Sequence, residues 1–572
     1  MVRLYSPSLA IFGSVLDLFP LSGCPIDHPF NNEKLTANTS DASAPRPTAH
    51  LLQDINLIDE ISHITHERIP ERVVHAKGAG AYGQFKCTSD DIQKYTDANF
   101  LSMKDKTTKL LVRFSTVFGE RGFADTVRDT RGFAFKLYTE EGNLDWLFFH
   151  PAVFPIRDPA MFPSLVHATK RNPSSNLHDP DMFWDFFNNN IPGYNMLVRF
   201  FTDRGTPFSY EDVKIASVNT YTYTKASLFK DDEYHFVRIN LEPEQTKSGM
   251  TLEMATEMAG RDSDFHTRTL YDNITNGIYP TWKVWAYIIG PSDVDKVGMN
   301  IFDATKVLPE PDGKNGVTKI EIGEITLNGN PENSFTEIEQ AAFNPANLVP
   351  GWDLSPDPIL QIRSFAYGDT QRYRLGVNHD QLPPNAPKGD VVWNPERRDG
   401  AGSQFNYGST PNYVGKRTKI VTPARRQRPY LDWDLTKARV ERSLSAEDPA
   451  DWKQPADFWN KDLLTDPEYQ YSDMDPEKEK AADEYGITYS QYILVFNIAN
   501  HLSAASDDVR MATYMIFSKI DPKLGDTVMQ ETQKVLKSRK TLRFGSHPDQ
   551  TNSTLPAVAP SLAIQGNVFR KM

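Results

Sequence analysis

Cysteine is almost absent: Cys24 and Cys87 are the two in 572 residues. Two distant thiols cannot build a disulfide framework, a cysteine-rich zinc site or an iron–sulfur cluster. No run of about 20 apolar residues occurs, which excludes a membrane-spanning helix. Positive charge is in deficit, with 62 Lys plus Arg against 75 Asp plus Glu and a net charge of −13. That balance argues against a protein whose main task is binding a phosphate backbone. There is no internal repeat and no low-complexity tract. An apolar stretch follows Arg3, from Leu9 to Phe19, but Gly13, Ser14 and Asp17 interrupt it. No small-residue cleavage site follows, so no secretory signal is expected. Sequons at Asn38, Asn273 and Asn552 match chance for this length. What is present is a folded composition, 39% hydrophobic and 24% charged.

Residues 1–67 carry Pro, Ser, Thr and Asn in their first part without periodicity and read as an extended arm. Residues 68–385 change to short β-rich runs between Gly, Pro and Asp turns. Leu110–Phe118, Phe133–Tyr138, Tyr234–Leu241, Trp282–Ile289 and Thr318–Leu327 have the pattern of half-buried strands. Helical stretches are expected at Thr251–Met258 and Phe335–Ala342. The mixture predicts an α+β fold on an antiparallel β-barrel or sandwich. Residues 386–487 are rich in Pro, Arg, Asn, Tyr and Asp, with little pattern. A stretch that long must wrap over other structure to be ordered. Residues 488–540 return to helix: Leu494, Ile498 and Leu502 sit at i, i+4, i+8, Val509–Ile520 follows, and Asp521-Pro522 opens a third helix. Residues 541–572 form a tail.

One helix carries chemistry. Asp357-Pro358 is a start signal and Gly376 a stop signal, which predicts a helix over Pro358–Leu375. At about 100° per residue, Arg363, Tyr367 and Arg374 fall on a narrow stripe. A guanidinium beside a phenol stabilises a phenolate, and phenolate oxygen is one of the few protein ligands of haem iron. The plain alternative is a surface tyrosine with a cation–π partner. Upstream, His75 ends a β-branched run and precedes Gly78, Gly80 and Gly83. It is either an acid–base group or a structural histidine. The glycines spell a dinucleotide-binding motif literally, but no apolar helix follows them, so that reading is rejected.

These two segments resemble long signatures of the haem catalase family. Ile64-Thr-His-Glu-Arg-Ile-Pro-Glu-Arg-Val-Val-His75-Ala-Lys-Gly-Ala-Gly resembles the active-site signature, and Arg363-Ser-Phe-Ala-Tyr367-Gly-Asp-Thr-Gln371 the haem-ligand signature. Val112–Val117, Asp125–Phe133, Ile156–Pro159, Lys170–Pro173 and Asp203–Thr206 add matches between them. The resemblance covers roughly residues 50–530. It implies a β-barrel core with an N-terminal arm, a wrapping segment and a C-terminal helical domain, assembled as a homotetramer. It implies Tyr367 as the iron ligand with Arg363 as its charge partner, and His75 as the distal acid–base oriented by Ser115. Arg72, Arg113 and Arg374 then neutralise the haem propionates, a role suited to bidentate guanidiniums. Val74, Phe154 and Phe162 form the apolar distal wall, and Asp129 is the channel carboxylate.

Two departures stand out. The family pattern Gly-Asn-Asn-Thr-Pro aligns with Phe148-Phe149-His150-Pro151-Ala152, which sets Phe149 where the family carries its distal asparagine. A family basic residue that meets NADPH aligns with Glu242, and an acid facing a phosphate argues against that cofactor. The nearby Gly-Ser-His-Thr-Phe pattern reads Ser217-Val-Asn-Thr-Tyr221. The expected function is therefore a catalase-fold haem oxidoreductase specialised for a small organic amine, similar in kind to the catalase-like chanoclavine synthase of ergot-alkaloid biosynthesis. The alternative is an ordinary catalase acting on hydrogen peroxide. A non-enzymatic haem-binding paralogue is the least favoured reading, because a scaffold needs neither His75, Ser115 nor Asp129. Cytoplasmic or peroxisomal placement is expected; the final Arg570-Lys571-Met572 matches the peroxisomal Ser-Lys-Leu address only in part.

Overall fold

The computed structural model describes residues 55–545 except 226–232, 245–248, 389–396, 407, 410–411 and 414–447. The arm up to residue 54, the tail from 546 with its C-terminal tripeptide, Cys24, Asn38 and Asn552 lie outside the described residues. So do 389–396 and 414–447 of the expected wrapping segment. The chain divides into two compact units between Pro70 and Glu71. The first contains helix α1, Ile55–Ile64.

The second unit is built on ten strands: β1 (Gly78–Cys87), β2 (Thr107–Thr116), β3 (Arg131–Thr139), β4 (Gly142–His150), β5 (Ile215–Ala216), β6 (Tyr221–Lys225), β7 (Glu233–Pro243), β8 (Thr281–Ile289), β9 (Val317–Gly329) and β10 (Trp352–Asp353). The circuit β1–β2–β3–β4–β5–β7–β8–β9 returns to β1, so eight antiparallel strands close a barrel. Closure removes the exposed sheet edges along that circuit. The five expected strands are all present with ends shifted by a few residues. Gly78, Gly80 and Gly83 lie inside β1, paired to β2, rather than in a strand-to-helix turn.

Side chains alternate across each strand. Phe114 of β2, Phe133 and Phe135 of β3, and Trp146 and Phe148 of β4 fill the barrel with Phe85 and Trp282. The residues between them face outward: Arg113 and Ser115, Gly132 and Ala134, Leu147 and Phe149. That outward surface is where the candidate site is assembled.

The helices of this unit include α2 (Phe162–Ala168), α3 (Pro180–Asn188), α4 (Tyr194–Phe200), α5 (Leu252–Arg261), α6 (Phe265–Thr275), α7 (Pro358–Leu375), α8 (Pro449–Asp457), α9 (Pro476–Tyr485), α10 (Tyr489–Leu502), α11 (Asp507–Ile520) and α12 (Pro522–Gly545). Leu494, Ile498 and Leu502 of α10 share one apolar cluster with Phe149, Phe154, Trp184 and Phe517, as their spacing predicts. The C-terminal helices thus buttress one wall of the site. No helix among the described residues is long and apolar enough to cross a membrane.

One expectation needs correction. The helix predicted over Phe335–Ala342 is shorter than expected, a single π-helical turn over Phe335–Glu339. The carbonyls of Ile338, Glu339 and Ala341 accept hydrogen bonds from Arg72 and Arg374, so this stretch bonds to guanidiniums where a longer helix would bond to itself. The segment 386–487, in which the sequence shows little pattern, contains α8 and α9. Asp448-Pro449 and Asp475-Pro476 cap them, each carboxylate accepting a first-turn N–H.

Lys136 and Asp145 face each other across β3 and β4, fully buried, with Nζ 2.7 and 2.8 Å from the two carboxylate oxygens. Asp145 also accepts from the Asn344 N–H and the Asn347 side chain. Breaking one half of such a pair leaves a buried charge uncompensated. Lys136→Met is therefore expected to destabilise the fold by about 3–5 kcal/mol, read in denaturant unfolding.

Candidate active site

The site begins with a strained backbone. His75 has φ of +66°, in the left-handed region that side-chain-bearing residues rarely occupy. Its N–H donates to the Val117 carbonyl at 3.1 Å, and Arg113 donates to its carbonyl at 2.9 Å. Nδ1 of the ring is 2.8 Å from Ser115 Oγ. Gly132 lies directly behind, where a Cβ would strike the imidazole and the Ser115 hydroxyl. Only glycine lets the ring sit there. Burial, then the positive charges of Arg113, Arg363, Arg72 and Lys170, lower the His75 pKa to about 3. The ring is neutral at neutral pH.

His75 shares with Tyr367 a cavity of about 300 Å³, the lower end of the range of about 300–1,000 Å³ typical of ligand and cofactor sites. Val74, Phe154 and Phe162 line it, with Phe149, Arg363 and the apolar residues around them. Tyr367 comes from α7, whose start and stop fall where the sequence placed them. Arg363, one turn earlier, donates to Tyr367 Oη at 3.3 Å, and to the Leu147 carbonyl at 3.1 Å. It also donates to the Asn219 side-chain oxygen. Asn219 in turn donates to Asp357 at 2.9 Å. Asp357 is the helix cap as well, accepting from the N–H groups of Ile359 and Leu360. One carboxylate therefore starts the helix and anchors the chain of bonds that ends on the phenol.

Arg72, Arg113 and Arg374 are buried beside one carboxylate, Glu339. Arg72 Nη1 is 3.3 Å from it and Arg374 Nη1 3.7 Å. Burial lowers the pKa of each guanidinium; repulsion from Arg72 adds to this for Arg113 and for Arg374, which falls to about 9. The Nε groups of Arg113 and Arg374 are buried with no hydrogen-bond partner. Three cations around one anion leave positive charge to spare. Asp129 sits nearby, one oxygen accepting from the Val117 and Phe118 N–H groups at 2.8 Å.

Phe149 is opposite Gly132 in the β3–β4 pairing, on the cavity side. Its ring stands edge-on to His75, centroids 5.6 Å apart, and edge-on to Phe154. His150 points the other way. Its Nδ1 lies 2.8 Å from the Lys214 carbonyl and its Nε2 3.0 Å from the Arg204 carbonyl. It cannot stand in for a missing amide.

His75, Ser115, Arg72, Val74, Arg113, Phe154, Phe162, Arg363, Tyr367 and Arg374 thus gather in one region, whereas Glu242 lies apart beside Lys319. Asn219, Asp357 as an anchor, Glu339 and Thr130, which also lines the cavity, were not singled out as site residues. Asn219 lay within the departing Ser217–Tyr221 pattern. Thr130 stands just ahead of β3 with no sequence signal that sets it apart.

Comparison with known proteins agrees with this architecture. A family model described as catalase matches residues 23–420. Catalase A of Botryotinia fuckeliana is 47% identical over 466 residues, covering 80% of this chain and 89% of that one. The peroxisomal catalase of Pichia angusta is 39% identical, covering 90% and 96%. The solved structure of catalase A from Saccharomyces cerevisiae superposes with a TM-score of 0.74 at 36% identity, over 86% of this chain and 95% of that one. With a barrel of that shape, and relatives of that identity over most of its length, the chain belongs to the catalase family of haem-dependent oxidoreductases.

Proposed function

We propose that the protein is a hydrogen peroxide-degrading catalase, converting two H2O2 to two H2O and one O2. The observation that carries this reading is His75, held neutral and fixed by Ser115, lining one apolar cavity with the Arg363–Tyr367 pair. The relatives named above are catalases, which favours this over the amine-oxidising expectation. The cavity lining contains no carboxylate to receive an ammonium, and its one cation, Arg363, repels one. Glu242, the acid that would have to attract such a cation, does not line this cavity and lies 3.4 Å from Lys319.

Haem fits the residues present. Tyr367 would supply the iron ligand. The surplus charge of Arg72, Arg113 and Arg374, with two unpartnered Nε groups, would meet two propionates. Val74, Phe154 and Phe162 would face the macrocycle's distal side. When bound, haem supplies the redox chemistry, taking the oxidising equivalents of one peroxide and delivering them to a second. The chain's own residues handle binding and protons. With Nδ1 occupied by Ser115, Nε2 of His75 is the nitrogen left for substrate. It accepts a proton from a peroxide O–H and returns it to the departing oxygen, which leaves as water. The apolar wall excludes water and so strengthens these hydrogen bonds. Arg363 keeps positive charge against the Tyr367 oxygen. NADPH is disfavoured, because an acid, Glu242, stands at the position of the family's basic residue.

A homotetramer in the cytoplasm or peroxisome completes the reading. Phe365 and Tyr373 on α7 are 69% and 78% exposed, a surface suited to a further copy. The Pichia relative is named peroxisomal.

Three outcomes are expected. Protein with a full Soret band evolves oxygen from hydrogen peroxide, and Phe149→Asn, by restoring a donor, raises the rate by about 10²–10³. Full haem with no oxygen evolution would refute the catalase reading. The kcat/KM profile stays flat on acidification through about pH 6.5, the ordinary histidine value, because the His75 pKa is depressed and its neutral form persists below it. An acid limb near that value would contradict the buried, neutral ring. Light scattering gives a mass of four copies, about four times the 64.8 kDa chain.

A further inference from the structure

Among the residues lining the cavity, four have polar side chains: His75, Thr130, Arg363 and Tyr367. Arg363 and Tyr367 are engaged with each other, and His75 Nδ1 with Ser115. Thr130 is different. It is fully buried, and its hydroxyl has no hydrogen-bond partner. A buried hydroxyl left unpaired costs free energy unless something arrives to pair with it.

Thr130 immediately precedes β3, two residues before Gly132, whose bare backbone faces the His75 ring, and it lines the same cavity as His75. Phe149 lies opposite Gly132. Thr130, Phe149 and His75 all line the one cavity. Phe149 presents a hydrocarbon ring there, and Thr130 presents an O–H that can donate and accept.

We propose that Thr130 is a substrate-binding residue: its hydroxyl hydrogen-bonds the peroxide held by His75 and supplies the polar contact that Phe149 cannot. The assignment rests on the catalase reading above. It involves no change of bonding, only the orientation of an O–O unit between two hydrogen-bonding groups. A hydroxyl at this place also gives the apolar chamber a point of selectivity for small molecules with a terminal polar atom.

The test uses holoenzyme and cyanide as a probe, followed by the Soret shift of the ferric protein. Thr130→Val keeps the shape and removes the O–H. It is expected to weaken cyanide binding and to lower kcat/KM for hydrogen peroxide, each by about tenfold. Thr130→Ser, which restores the O–H, should return both to within about threefold of the parent. In a Phe149→Asn background the Thr130→Val effect should shrink, because the amide then shares the contact. Unchanged cyanide affinity and unchanged kcat/KM in Thr130→Val would overturn the proposal. If the valine variant takes up no haem, Thr130→Ala is read against Thr130→Ser in the same way, and equal cyanide affinity in the two would overturn it. Failure of the parent to evolve oxygen would strike the catalase reading instead, whereas the cyanide comparison stands apart from turnover.

Discussion

Strand alternation is the constraint on which both the fold and the site depend. In β2, β3 and β4 every second side chain fills the barrel, and the intervening ones build the cavity. The same pairing that sets Phe114 beside Phe133 sets Ser115 beside Gly132, and so sets the height at which the His75 ring can rest. The imidazole is held from three sides by groups fixed in the sheet: the Ser115 hydroxyl, the bare backbone of Gly132 and the Phe149 edge. A left-handed backbone at His75 is tolerated because the Val117 carbonyl and the Arg113 guanidinium tie both of its peptide groups.

The opposite side of the site is organised by charge. Asp357 begins α7 and, through Asn219, ends on Arg363 beside Tyr367. Arg72 and Arg374 draw three carbonyls out of what would otherwise be helix. The irregular turn at Phe335–Glu339 is thus part of how the guanidiniums are held. The structure spends backbone regularity to concentrate positive charge at one edge of an apolar chamber.

Much of this was legible in the sequence. Asp357-Pro358 and Gly376 bracket α7 because capping chemistry is local, and the Arg363–Tyr367 contact follows from helical spacing alone. The strands were legible from their alternation. Other features were not legible, for physical reasons. Phe335–Ala342 has helical periodicity, but its carbonyls are claimed by arginines distant in sequence. Thr130 is an unmarked residue just ahead of β3 until the cavity surrounds it. The expectation of an amine substrate came from adding Glu242 to the departure at Phe149. Folding separates the two, since Glu242 pairs with Lys319 on the sheet while the cavity wall is apolar.

The register between β3 and β4 matches Arg131 with His150 and continues without a break to Thr139 and Gly142. A slip of one residue would drive Phe149 into the barrel and Trp146 out of it, at the expense of the whole core. Insertions and deletions are therefore closed to this strand as a means of varying its chemistry. Exchange at a single codon is open, because residue 149 touches the chamber without supporting the barrel. Natural variation can thus redirect such a protein's reactivity while its architecture stays unchanged, and two relatives nearly identical in shape can diverge in what they transform.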